Sequence, residues 1–202
     1  TLFYNNLMML LNLLEASREF KIEKTLLTLS TGMYSPSIEM PYKESSLHKG
    51  LAHDGLYGYY YAKRMMEPAL RAYRDQYKMN IIGVVPNGIF GENDNFDLQG
   101  APLVPALIRR FHEAKAKCQP TVTIWGSGKP YREFLHVDDM ASAAVHVMNL
   151  ERDIYQLHTK PMLSHINAGT GEDITIKQLA KKIARVINYK GKIKYYVIFR
   201  RK

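Results

Sequence analysis

Leucines recur at helical spacing between Tyr4 and Phe20 (Leu7, Leu10, Leu11, Leu14), predicting an amphipathic first helix, and Thr25 to Ser30 then reads as a short buried strand. A polar stretch with Pro36 and Pro41 separates these from a second helical pattern, about Tyr59 to Tyr77. Within it Pro68 predicts a bend just past Lys63, because proline supplies no N–H and its ring presses on the preceding turn. Asn80 to Val85 is a strand pattern stopped by Pro86-Asn87-Gly88. Leu103 to Lys115 predicts a helix, Thr121 to Trp125 a strand, and Gly126 to Pro130 a turn.

Val137 to Leu150 reads as a helix with Asp138 and Asp139 at its positive end. Ser164 to Ala168 is a strand, Gly169-Thr170-Gly171 a turn, and Thr175 opens a helix from Ile176 to Ile187. Lys192 to Phe199 is strand-like. Such alternation argues an α/β fold with a largely parallel sheet. No repeat or low-complexity tract interrupts it.

Composition narrows the class. In 202 residues, 46% are apolar and 23% charged, a globular balance that excludes global disorder. No apolar run approaches the roughly 20 residues that span a bilayer, and Thr1 to Asn6 carries no basic residue of a signal peptide, so a soluble chain is expected, with no membrane partner. Twenty-eight Lys and Arg against nineteen Asp and Glu give +9. The basic residues lie at the end of the chain (Arg200, Arg201, Lys202) or at helical spacing (Lys177, Lys181, Lys182, Arg185), a solvated pattern that does not point to nucleic acid. The single cysteine, Cys118, forbids an intrachain disulfide and agrees with a reducing, cytoplasmic setting; no metal site is expected.

The first glycine is Gly32, so the glycine-rich turn that binds a dinucleotide after the first strand of such folds does not occur. Candidate chemistry starts at Tyr59 and Lys63, four apart on one helix face. An ammonium beside a phenol stabilises the phenolate and lowers its pKa from about 10, making the tyrosine a proton carrier. By itself such a pair is more often an exposed helix pair. Ser30 and Thr31 stand where an apolar strand ends, the place where α/β proteins hold ligands, and either position a carbonyl group or cap the following loop. Trp125 is a binding face or a core residue at a strand end.

Together with Asp94-Asn95-Phe96, Trp125-Gly-Ser-Gly, Arg132-Glu-Phe-Leu-His-Val-Asp-Asp-Met-Ala and His165-Ile-Asn-Ala-Gly-Thr-Gly, these residues make the chain similar to the extended short-chain dehydrogenase/reductase family, from about Tyr4 to Lys192. The resemblance implies a Rossmann-type doubly wound parallel sheet lacking its first strands, plus part of a smaller C-terminal substrate domain. It divides the chain into residues 1–100, carrying the serine, tyrosine and lysine, and 101–202, carrying substrate elements and returning strands. It implies a piece of a longer enzyme that epimerises and reduces a GDP-sugar with NADP(H), and a homodimer, with Leu7, Leu10, Leu11, Leu14, Met65 and Leu70 as the seam.

By resemblance Tyr59 is the general acid, Lys63 holds the nicotinamide ribose and Ser30 polarises the ketone. Thr28, Leu29, Ser30, Thr31, Tyr59, Lys63, Pro86, Asn87, Gly88 and Ile89 line the cofactor, and Arg110, Trp125 and Arg132 hold the GDP-sugar. Two positions depart. Where epimerising members carry a cysteine and a histidine, this chain has Gly32 and Pro102, which move no proton. The resemblance therefore leaves two alternatives beside the full reaction, a reductase that does not epimerise and an inactive sugar-nucleotide binder.

Overall fold

The structure is a computed structural model that describes residues 1–160 and 162–196. The strand pattern past Tyr196 and the basic run ending at Lys202 lie outside the described residues. In chain order the elements are α1 (Leu2–Glu19), β1 (Thr25–Thr28), α2 (Tyr57–Arg64), α3 (Met66–Tyr77), β2 (Ile81–Pro86) and β3 (Ile89–Phe90). They continue with α4 (Leu103–Ala116), β4 (Thr121–Trp125), β5 (Tyr131–Glu133), β6 (Leu135–His136), α5 (Val137–Asn149) and α6 (Arg152–His158). The last are β7 (His165–Ala168), β8 (Asp173–Thr175), α7 (Ile176–Ile187) and β9 (Lys192–Tyr196).

The chain folds as two compact units that exchange segments: Thr1–Asn87 with Asp138–Gly169, and Gly88–Val137 with the residues from Thr170 on. The first is built on a parallel sheet in the order β1-β2-β7, with Thr28 level with Val84 and Pro86 level with Ala168. Its central strand is buried from Ile81 to Val85, as a parallel strand covered on both faces must be. Leu10 and Leu14 of α1 and Leu70 of α3 close the core over Leu27, Leu29, Ile81 and Val85.

That packing corrects the expected dimer seam. Leu10, Leu14 and Leu70 are buried in the chain's own core and Leu7 and Leu11 pack against it, whereas Leu2, Met9, Leu13 and Met65 are exposed. The predicted bend is present: the second helical pattern breaks at Met65 into α2 and α3. Pro68 has no N–H to offer the Arg64 carbonyl one turn back, so the ladder cannot run through. Lys24 donates to the carbonyls of Val147, Met148 and Leu150 at 2.7–3.0 Å, satisfying the acceptor end of α5.

In the second unit α4 and α7 pack with β4 and β9 around Leu107, Phe111, Ile124 and Ala180. β4 and β9 pair in parallel, β5 and β8 antiparallel, β3 and β6 in parallel. Thr175 caps α7 by accepting from the Gln178 N–H at 3.1 Å, while the Gln178 side chain accepts from the Thr175 N–H at 2.8 Å.

Candidate active site

Three of the expected residues meet at the carboxyl end of β1. Leu29 prolongs the pairing beyond the strand, donating its N–H to the Val84 carbonyl at 2.8 Å, and the chain then turns sharply through Thr31–Met33. Ser30 heads that turn, its Oγ 3.4 Å from the Gly32 N–H. The hydroxyl thus caps the turn, and it lies near enough to the Tyr59 phenol to pull its pKa downward. The capping role open to Ser30 in the sequence is filled.

Lys63, one turn beyond Tyr59 on α2, is buried and donates to the Thr28 carbonyl at 2.7 Å. Its Nζ lies 5.6 Å from the centre of the Tyr59 ring. The expected electrostatics do not hold in this geometry. Burial pushes the Tyr59 phenol above its ordinary pKa, and the Ser30 hydrogen bond only partly offsets that. Lys63 falls below its ordinary value, also through burial. The ammonium donates to the Thr28 carbonyl and lies over the Tyr59 ring, not on the phenol oxygen, so it does little to stabilise a phenolate. Tyr59 is held as a protonated donor.

Pro86 and Asn87 end the neighbouring strand on the same side, and the Asn87 N–H donates to the Ala168 carbonyl at 3.0 Å. An apolar cleft of about 530 Å³ runs beside β1, between Met9 and Leu13 of α1 and Leu26 and Thr28, with Lys63 on its wall. Among the described residues the one hydrogen bond from the Lys63 ammonium goes to Thr28, which leaves two of its three protons for hydroxyl groups of a ligand. That donor set fits the ribose of a dinucleotide.

In the second unit the Gly88 carbonyl accepts from the Leu135 N–H, and Ile89 begins β3. Trp125 ends β4 with two-thirds of its surface exposed, which removes the core reading. Arg132 on β5 is exposed and donates to the Tyr131 carbonyl at 2.7 Å, while Arg110 is half-buried on α4. Pro102 stands at the start of α4, its carbonyl accepting from the Ala106 N–H. Among the described residues no group of acidic, histidine and cysteine side chains suits a metal ion, and no helix is long and apolar enough to cross a membrane.

A buried polar network escaped the sequence reading. Glu67 on α3 and His165 on β7, both wholly buried, pair at 2.7 Å. The other ring nitrogen of His165 meets the Tyr34 hydroxyl at 2.8 Å, and Tyr34 also contacts Asn167 Oδ1 at 2.8 Å. These residues are 98 to 133 positions apart in the chain, so no local pattern announces them.

Residues 1–158 match the NAD dependent epimerase/dehydratase family. The GDP-L-fucose synthase of Escherichia coli (strain K12) is 42% identical over 190 residues, 94% of this chain and 59% of that protein. Among solved structures, the GDP-6-OMe-4-keto-L-xylo-heptose reductase of Campylobacter jejuni superposes with a TM-score of 0.89 at 29% identity, over 98% of this chain and 66% of that one. The GDP-mannoheptose C4 reductase of the same organism, solved with NADP bound, gives 0.85 at 29% identity over 97% and 66%. The chain spans less than two-thirds of the length of each of these relatives.

Proposed function

The chain belongs to the NAD dependent epimerase/dehydratase family, and we propose that its site carries out the ketone reduction of a GDP-L-fucose synthase-type enzyme, using NADP(H) on a GDP-4-keto-6-deoxy sugar. The observation that carries this reading is the meeting of Ser30 at the end of β1 with Tyr59 and Lys63 of α2, Lys63 being anchored on the Thr28 carbonyl at 2.7 Å. When bound, NADPH would supply the hydride for C4 of the sugar. Tyr59 gives its proton to the oxygen, and its raised pKa keeps that proton on the phenol through neutral pH. Ser30 donates to the same oxygen and orients it. Lys63 and the strand ends Thr28–Thr31 and Pro86–Asn87 would hold the nicotinamide ribose, and the resemblance adds Gly88 and Ile89 to the cofactor lining. Arg110 and Arg132 suit the diphosphate by bidentate hydrogen bonding, and Trp125 offers a flat apolar face.

A second reading, reduction without epimerisation, is favoured by Gly32 and Pro102, neither of which has a side chain that can move a proton. The two Campylobacter relatives named as reductases support it by likeness. The proposal includes a cytoplasmic homodimer, for which the exposed Leu2, Met9 and Leu13 of α1 and Met65 provide apolar surface. A monomer in sedimentation at micromolar concentration would remove the dimer from it. The catalytic part is tested by NADPH oxidation in the protein that carries this sequence. Tyr59→Phe should lower the rate by a factor of about 10² to 10⁴ while the melt is preserved. An unchanged rate would refute the assignment.

A further inference from the structure

A methyl group placed on Gly32 would lie 2.0 Å from Cε1 of Tyr60, 2.2 Å from Cδ1 and 2.4 Å from Cζ. Unbonded carbons settle at about 3.5 to 4.0 Å, so the ring already fills the volume in which any side chain at position 32 would begin. The glycine is there for space. The backbone at Gly32 is not among the left-handed glycines of the chain, so its conformation would accept another residue.

The ring is held on several sides. Tyr59 packs against it with centroids 5.4 Å apart, and His53 meets it edge-on at 5.9 Å and 76°. The His53 N–H donates to the Gly32 carbonyl at 3.0 Å, and His53 Nδ1 accepts from the Gly55 N–H at 3.0 Å. Backbone and rings therefore form one cluster against the Ser30 turn. A side chain at 32 would start beside the Ser30 hydroxyl, since the Gly32 N–H is 3.4 Å from Ser30 Oγ. Inverting a carbon next to a ketone requires a group that removes its proton on one face and a group that returns one on the other. Position 32, two residues past Ser30 and within 3.4 Å of its hydroxyl through the backbone N–H, is near enough to that hydroxyl to present one of them.

We propose that Tyr60 is a specificity-determining residue whose ring fills the volume in which a proton-transferring side chain at position 32 would stand, so that the ketone is reduced with its neighbouring carbons unchanged. The proposal rests on the reductase reading. Its test joins a double-mutant cycle with isotope exchange. Gly32→Ala overpacks the cluster and should lower the melting temperature by about 4 °C or more. Adding Tyr60→Ala should cancel most of that loss, leaving the pair well short of the sum of the single changes.

In D₂O, with a GDP-4-keto-6-deoxy sugar and no NADPH, the native protein and Tyr60→Phe should add no deuterium at C3 or C5 above the protein-free rate. Gly32→Cys alone should also be silent, and Gly32→Cys with Tyr60→Ala should exchange. Additive melting losses, or a silent double variant, would overturn the proposal. So would exchange by the native protein; its loss in Tyr60→Phe would then identify the phenol as the proton carrier. NADPH oxidation on the same samples reports on the reductase reading alone, so failure of that reading is distinguishable from failure of this one.

Discussion

Asn167 decides the protonation of a buried network four side chains long. Its amide nitrogen donates to the Tyr42 carbonyl at 2.9 Å, so its oxygen faces Tyr34 and accepts that hydroxyl's proton. Tyr34 must then accept from His165 Nε2, and His165 Nδ1 and Glu67 share one proton between them. The second Glu67 oxygen accepts from the Ser164 N–H. Glu67→Gln can preserve every one of these bonds, its amide donating to Nδ1, and should cost less than about 1 kcal/mol in urea unfolding. Glu67→Leu strands His165 and the Ser164 N–H in a dry core and should cost about 3 kcal/mol or more. Equal costs for the two variants would contradict the hydrogen-bond assignment. At this scale the sequence was only partly legible. Ser30, Tyr59 and Lys63 stood out because strand end and helix spacing are local. The seat of Tyr60 over Gly32 and the Glu67–His165 pair depend on contacts between distant segments.

Most helices and longer strands were readable from local pattern because propensity, periodicity and end signals agree in them. α7 is the clearest case: Thr175 and Gln178 form a reciprocal cap in front of an amphipathic run, and the observed bounds are the expected ones. Thr175→Ala should cost about 1 kcal/mol, and thermal unfolding checks it. A loss below a few tenths would mean that packing of Leu179 and Ile183 alone fixes the start of the helix. Pro68 likewise announced the break at Met65, which turns the helix just after it has presented Tyr59 and Lys63. Short elements were not readable. α6 buries only Tyr155, and β3 and β6 have two residues each, too few to show a period. They exist because partners far along the chain supply their pairing.

For the whole molecule, buried phenols set a limit at high pH. Burial raises the pKa of Tyr34, Tyr155 and Tyr59 in the folded state, whereas an unfolded tyrosine ionises near pH 10. Below that pH the phenols are neutral in both states and add no dependence. Above it the unfolded chain loses protons that the folded chain keeps, so stability declines as pH rises. The melting temperature should be nearly level from pH 8 to about 9.5 and fall steeply beyond about 10. A level profile to pH 11 would mean that these hydroxyls reach solvent. Charge patterning told nothing of this, since neutral tyrosines leave no mark on a net charge of +9.

The proposed reduction at C4 with retention at C3 and C5 is tested most directly by deuteride tracing, which reads both features in one product. The protein that carries this sequence is supplied with NADPH deuterated at the transferable C4 position and with GDP-4-keto-6-deoxy-D-mannose in ordinary water, and the nucleotide sugar formed is analysed by NMR. The expected product is a GDP-6-deoxyhexose with deuterium at C4 alone and with the substrate's configuration kept at C3 and C5, a rhamnose-type sugar. A sugar with no deuterium at C4, or one inverted at C3 and C5 to the fucose configuration, would contradict it.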